Sequence, residues 1–258
     1  MTRALPRTNF NSSKLVRVLA DLALIDAAES GSAFAEKLGL WVGFTDAITL
    51  RAAHEAELVN PPSTLSELTF IECEPIVKEF TRVRNSLTQA ITQGHSASGA
   101  KSRIALPAPK TGASFEDAIA YEPYRRYHLA HQRDIELNIR PLRTKMREVL
   151  AKASPVLKQL ANLDAAFDGI LSERESKVLS SLPSLLEKRF RQLLKTHQMA
   201  HIDDPDADTP DEWTKSGGWL SLFSGELQAV LLAELDIRLQ PTLGLMEALN
   251  NEIKNSYE

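Results

Sequence analysis

The sequence predicts an all-α protein built around a long antiparallel, coiled-coil-like helical hairpin, with a small N-terminal helical bundle. Three observations predict it. The straight-chain helix formers Leu, Ala, Glu, Arg and Lys dominate, and aromatic residues make up only 6% of the chain. Apolar residues recur at alternating steps of three and four, the spacing that lines one helix face. Proline and glycine sit between those stretches rather than within strand-like alternation.

In the first segment Leu15, Val18, Leu19, Leu22 and Ile25 follow this spacing, with Ser12 or Ser13 placed to cap it. A second segment carries Phe34, Leu38, Trp41 and Val42, and Gly43 breaks it. Thr45 then caps a third short helix bearing Ile48. These helices are expected to form the N-terminal bundle, residues 1–58. Asn60-Pro61-Pro62-Ser63 is a breaker, because proline lacks a donor and restricts the residue before it. A long helix within 59–93 follows, carrying Ile76, Phe80, Val83, Leu87 and Ile91, with Pro75 expected to kink it or mark its start. From 94 to 112 the composition turns to Gly, Ser, Ala, Pro and Lys without periodicity, which reads as a flexible linker.

The two longest patterns come next, within 113–258. In the first, Ile135, Ile139, Leu142, Met146 and Val149 step by four and three, and the stripe extends back through His131, His128 and Tyr124. Ser154-Pro155 is a stop and restart, serine as cap and proline at the first helical position. The second pattern carries Val156, Leu160, Leu163, Phe167, Ile170, Arg174 and Val178, then bends at Pro183 and continues through Leu186, Phe190 and Leu193. A seven-residue repeat keeps its seam facing a neighbour, so the two segments should zip together. Residues 202–218 read as an acidic loop. Ser224 then caps a helix with Leu227, Val230, Leu231 and Leu235, Gln240-Pro241 interrupts it, and Leu245, Met246, Leu249 and Ile253 form a last amphipathic stretch.

Composition excludes several classes. The chain has 258 residues, 43% hydrophobic and 25% charged, with a net charge of −4, so no global pull draws it to nucleic acid or anionic lipid. A single cysteine, Cys73, rules out an intramolecular disulfide or a cysteine-rich zinc site. MTRALPRTNF lacks the apolar core of a signal peptide, and no apolar run reaches membrane-spanning length, so the expected location is cytoplasmic without membrane insertion.

The chemical motifs each lack a necessary part. GHSASGAKS, residues 94–102, imitates a phosphate loop, but Ala100 separates the second glycine from Lys101 and no strand precedes it, so no nucleotide is expected. HQMAH, 197–201, has the histidine spacing of a zinc protease but Gln198 where the general base belongs. His197 and His201 could still hold a metal if Asp203 or Asp204 supplied a third ligand. HLAH, 128–131, is a second pair, which a hairpin turning near 154 keeps apart from the first. The acidic run from Asp203 has Thr209 and Lys215 where a calcium loop starting at Asp204 needs glycine and glutamate. Cys73 lies between Glu72 and Glu74, which disfavours a nucleophilic thiolate. No catalytic residue, metal site or cofactor is therefore assigned. The remaining candidate is a cationic helix face, Tyr124, Arg125, Arg126, Arg133, Arg140, Arg143 and Arg147, expected to contact a partner. Nucleic acid is the alternative ligand, because phosphates want clustered cations and bases stack on tyrosines such as Tyr124 and Tyr127. Trp41, Trp213 and Trp219 are anchors wherever they prove exposed.

Three segments carry a resemblance: RTNFNSSKLVRVLADL with AFAEKLGLWVGFTDAITL, ANLDAAFDGILSERESKVLSSLPSLLEKRF, and LQAVLLAELDIRLQPTLGLMEAL. Together they resemble an uncharacterised proteobacterial family, the domain of unknown function numbered thirty-three forty-eight. No catalytic residue is established for it, so none carries over. Genes of the family neighbour those for membrane proteins resembling flagellar stator channels and peptidoglycan binders. The resemblance thus implies a cytosolic accessory of an envelope-spanning, ion-driven complex. The expected role is non-enzymatic, an adaptor binding other proteins through helical faces, with self-association through the heptad stripes a further expectation.

Overall fold

The computed structural model describes residues 13–25, 41–55, 70–93, 104–109, 119–201 and 209–255. The expected phosphate-loop imitation at 94–102 and the aspartates Asp203, Asp204, Asp206 and Asp208 lie outside them. The described chain is helical, without a strand. Its helices are α1 (Lys14–Asp21), α2 (Phe44–Glu55), α3 (Phe70–Gln93), α4 (Glu122–Ala153), α5 (Pro155–Leu179), α6 (Leu182–Ala200), α7 (Pro210–Thr214) and α8 (Trp219–Asn255).

Local chemistry explains most boundaries. Ser13 caps α1, its hydroxyl accepting from the Val16 N–H at 3.3 Å. Ser154 caps α5 in the same way, accepting from Leu157 N–H at 3.2 Å with Pro155 at the first helical position, as its sequence predicts. At α2, however, Thr45 is not the cap: Gly43 precedes the helix and donates its N–H to the Asp46 carboxylate at 2.9 Å. Ser224 is likewise not a cap but a buried residue inside α8, which begins five residues earlier at Trp219. The corner between α7 and α8 depends on glycine. A Cβ on Gly218 would lie 2.3 Å from the Trp213 carbonyl oxygen, closer than any side chain can stand.

Proline behaves less drastically than its reputation. Pro75, Pro141 and Pro241 all lie within helices, and Gln240-Pro241 does not interrupt α8. The lost hydrogen bond is tolerated because apolar side chains on both sides of the ring, Leu239 and Leu245, are buried and hold the helix on course. The break after α5 falls at Ser180 and Ser181, just ahead of Leu182-Pro183. The expected acidic loop contains a helix, α7, whose Trp213 is a core residue. Within the expected linker, residues 104–109 carry no regular structure.

The chain forms two compact units. The first gathers the described parts of Met1–Ser30, Leu87–Asp134 and Ser180–Ile237; the second gathers those of Gly31–Ser86, Ile135–Leu179 and Arg238–Glu258. Residues 1–58 are expected to bundle together, but α1 falls in the first unit and α2 in the second. The reason is pairing that periodicity does not encode. Lys14 of α1 meets Asp236 of α8 at 2.8 Å, whereas α2 packs on α5 and its His54 carbonyl accepts from Gln159 at 2.7 Å.

In the first unit an aromatic cluster forms the core. Phe190 of α6 lies 5.6 Å from Tyr121 and from Tyr124, tilted against both, and 5.0 Å from Phe223 and 5.2 Å from Trp219, edge-to-face with each. Tyr121 donates to the Pro183 carbonyl at 2.6 Å. In the second unit α4 doubles back into α5. Arg143 and Arg147 of α4 reach Asp164 and Asp168 of α5 at 2.6–2.8 Å. The α4 stripe Tyr124, His128, His131, Ile135, Ile139, Leu142 and Met146 is buried as its periodicity predicts, as is the α3 stripe from Ile76 to Ile91; at the end of the α4 stripe Val149 is half-buried and its neighbour Leu150 is the buried residue. The α5 stripe is buried only in part: Leu160, Leu163, Phe167 and Ile170 are half-buried and Arg174 is exposed. Val156 and Val178 are 66% and 61% exposed, and the buried positions are Leu157, Ala161 and Leu179. With α2 packed on α5 and α4 held by its aspartates, α5 is covered from more than one side, so no single heptad face carries the contact.

Candidate protein-docking surface

The cationic face divides by burial. Tyr124 and Tyr127 point into the core, where burial pushes the Tyr127 hydroxyl up to about 12 and the Tyr124 hydroxyl higher still. They are not available to stack on bases. The same three-four spacing that brings tyrosine beside arginine in sequence turns the rings inward and the charges outward. Arg125, Arg126, Arg133 and Arg140 are exposed; the first two lie 3.4 and 3.5 Å from Glu122, and Arg140 lies 4.0 Å from Glu136. Arg143 and Arg147 are largely buried and engaged on both sides by Asp164 and Asp168. Burial alone would raise the Asp164 carboxyl, but hydrogen bonds from Arg143 and Arg147 outweigh it and hold the group below the ordinary carboxylate range.

The histidine pairs serve the core and its margin. His197 and His201 stack at 4.3 Å, and His201 Nδ1 donates to the His197 carbonyl at 3.0 Å. His197 also lies 6.0 Å from both Trp213 and Trp219. His128 is wholly buried with Nε2 3.6 Å from the equally buried Glu234 carboxylate, to which Gln132 donates at 3.0 Å. His131 packs edge-on against Tyr127 at 4.5 Å. Among the described residues no three His, Cys, Asp or Glu side chains are grouped to hold a metal ion. Cys73 is a buried member of the α3 stripe.

Among the described residues, the large apolar side chains that face outward include those on α2 and just before it. Trp41 is 40% exposed, Phe44 84% and Ile48 53%; Phe44 and Ile48, four apart within α2, share one face, and Trp41 lies three residues before the helix starts. Trp41 is the tryptophan that proves exposed, since Trp213 and Trp219 are core. The sequence places Ile48 on a short helix of the expected bundle, and local spacing carries no sign saying whether core or solvent lies beyond it. The opposite side of α2, with Leu50 and Ala53 half-buried, meets α5.

A family model described as Protein of unknown function (DUF3348) matches residues 1–251. No curated protein and no solved structure matches the chain.

Proposed function

The chain belongs to the DUF3348 family, whose description names no activity, and we propose that it is a non-enzymatic adaptor that binds other proteins through its helical faces. The observation that carries this reading is the exposed pair Phe44 and Ile48 on one face of α2, with Trp41 also exposed just ahead of the helix. Large apolar side chains clustered on one exposed face lower their free energy by being covered, and aromatic anchors dominate interface energetics. The partner that fits is an apolar helix face of another protein, laid against α2. The finer reading places the adaptor in the cytoplasm, serving an envelope-spanning, stator-like complex. What supports it is the resemblance together with the absence, among the described residues, of any helix long and apolar enough to cross a membrane. The cationic-face alternative of nucleic-acid binding loses its stacking tyrosines to the core.

Affinity purification from native cells followed by mass spectrometry tests the proposal, with Phe44→Ser and Ile48→Ser as paired variants. Membrane motor components recovered with the wild type and lost with both variants would support it. A preparation containing the chain alone, or a partner indifferent to both substitutions, would count against it.

A further inference from the structure

In the first unit α1 lies antiparallel along α8. Lys14 at its start pairs with Asp236, and its far end comes beside the opening turns of α8. There the two helices part into a groove of about 540 Å³, mostly apolar, lined by Val18, Leu22, Leu222, Gly225 and Ala229 with Asp21 at its edge. Gly225 keeps the floor low: a Cβ there would meet nothing within 4 Å. Leu222 is about half exposed beside it.

Two local rules are broken where α1 ends on this groove. Asp21 sits in the last turn of α1, where its negative charge opposes the helix dipole. It is exposed and makes no ion pair among the described residues. Two residues on, Ala23 takes φ 53°, a left-handed conformation that costs a residue with a Cβ. The other carboxylate lining the groove, Glu226, is already neutralised by Arg189 at 2.5 and 2.8 Å. The unmet charge at the groove is therefore Asp21. A cation placed there would satisfy the carboxylate and the carbonyl end of α1 together.

We infer that this groove docks an amphipathic helical segment of a partner protein, which seats a large apolar side chain over Gly225 and sets a lysine or arginine against Asp21. The inference rests on the protein-binding reading and adds to it a second docking face with its own partner chemistry.

The test is fluorescence anisotropy with the full chain and a fluorescein-labelled amphipathic helix of leucine and lysine, compared with its leucine–glutamate counterpart. The lysine peptide binds more tightly by about tenfold or more. Gly225→Leu fills the groove with a good helix former, so it leaves the helical circular dichroism intact and weakens the peptide about tenfold. Asp21→Asn weakens it too, and erodes the preference for lysine over glutamate. Unchanged affinity in folded Gly225→Leu, equal binding of the two peptides, or no binding of either would overturn the groove. Were the peptide lost with Phe44→Ser and Ile48→Ser but not with Gly225→Leu, the groove would fail while the adaptor reading stood.

Discussion

Arg143 and Asp164 meet across the Ser154-Pro155 turn through two hydrogen bonds, Nη2 to Oδ1 at 2.6 Å and Nε to Oδ2 at 2.9 Å. Arg147 joins from one turn further along α4, its Nε reaching Asp164 Oδ2 at 2.6 Å, and Asp168 closes the set on both arginines. Two cations and two anions thus satisfy each other with little exposure to water, the arrangement in which ion pairs hold geometry.

Asp164→Asn is expected to cost roughly 1–3 kcal/mol, since it removes charged hydrogen bonds and leaves two arginines undercompensated. The folded Asp164 carboxyl titrates below its ordinary value. Its stabilisation is therefore complete above about pH 4 and is lost as the pH falls through the lowered folded value. Urea midpoints measured from neutral to acid pH should show the wild-type advantage over Asp164→Asn shrinking towards zero. A constant gap at all pH values would mean that the carboxylate charge is not what holds the turn.

The buried tyrosines at the start of α4 and just before it limit the alkaline side. Burial raises Tyr127 to about 12, and burial raises Tyr121 and Tyr124 further, Tyr121 with help from nearby Glu187. These groups stabilise the folded chain fully below the unfolded tyrosine value of about 10, and the contribution is lost as the pH climbs through the folded values. Absorbance at tyrosinate wavelengths should therefore rise late, in step with loss of helical circular dichroism. Early ionisation of all tyrosines with the helices intact would contradict the burial.

Phe190 is the hub of the aromatic core, and Phe190→Ala should cost about 3–5 kcal/mol. Trp219 lies 5.2 Å from its ring, so tryptophan emission should shift to the red as the cluster loosens. Unchanged emission together with an unchanged thermal midpoint would show that the cluster does not carry the first unit.

Gly218 at the corner and Gly225 inside α8 should respond in opposite directions. Gly218→Ala drives a Cβ into the Trp213 carbonyl and should cost about 1–3 kcal/mol. Gly225→Ala enters open space inside α8 and should gain up to about 1 kcal/mol from helix propensity. Thermal melts of the pair decide the matter, and the same sign for both would contradict the corner geometry.

Burial on α3 and α4 was legible in the sequence because each buries one apolar stripe along its length, and three-four spacing reports that directly. The α5 register was not, since its half-buried flanks answer to two neighbours and Val156 obeys the same period as Leu157. The candidate surface was partly legible: the sequence offers Trp41 as an anchor wherever exposed and puts Ile48 on a helix, but local spacing does not say which of them meets solvent.

The sequence by itself determined that the chain is helical, that Ser154 starts one helix and Ser12 or Ser13 another, and which face of α4 is buried, because these depend on interactions within a few residues. Only the tertiary structure decided that α1 and α2 join different units, that α8 runs on through Pro241, and that Phe44 faces outward. Those outcomes depend on which helices meet, and contacts between residues such as Lys14 and Asp236, 222 positions apart, leave no trace in local periodicity.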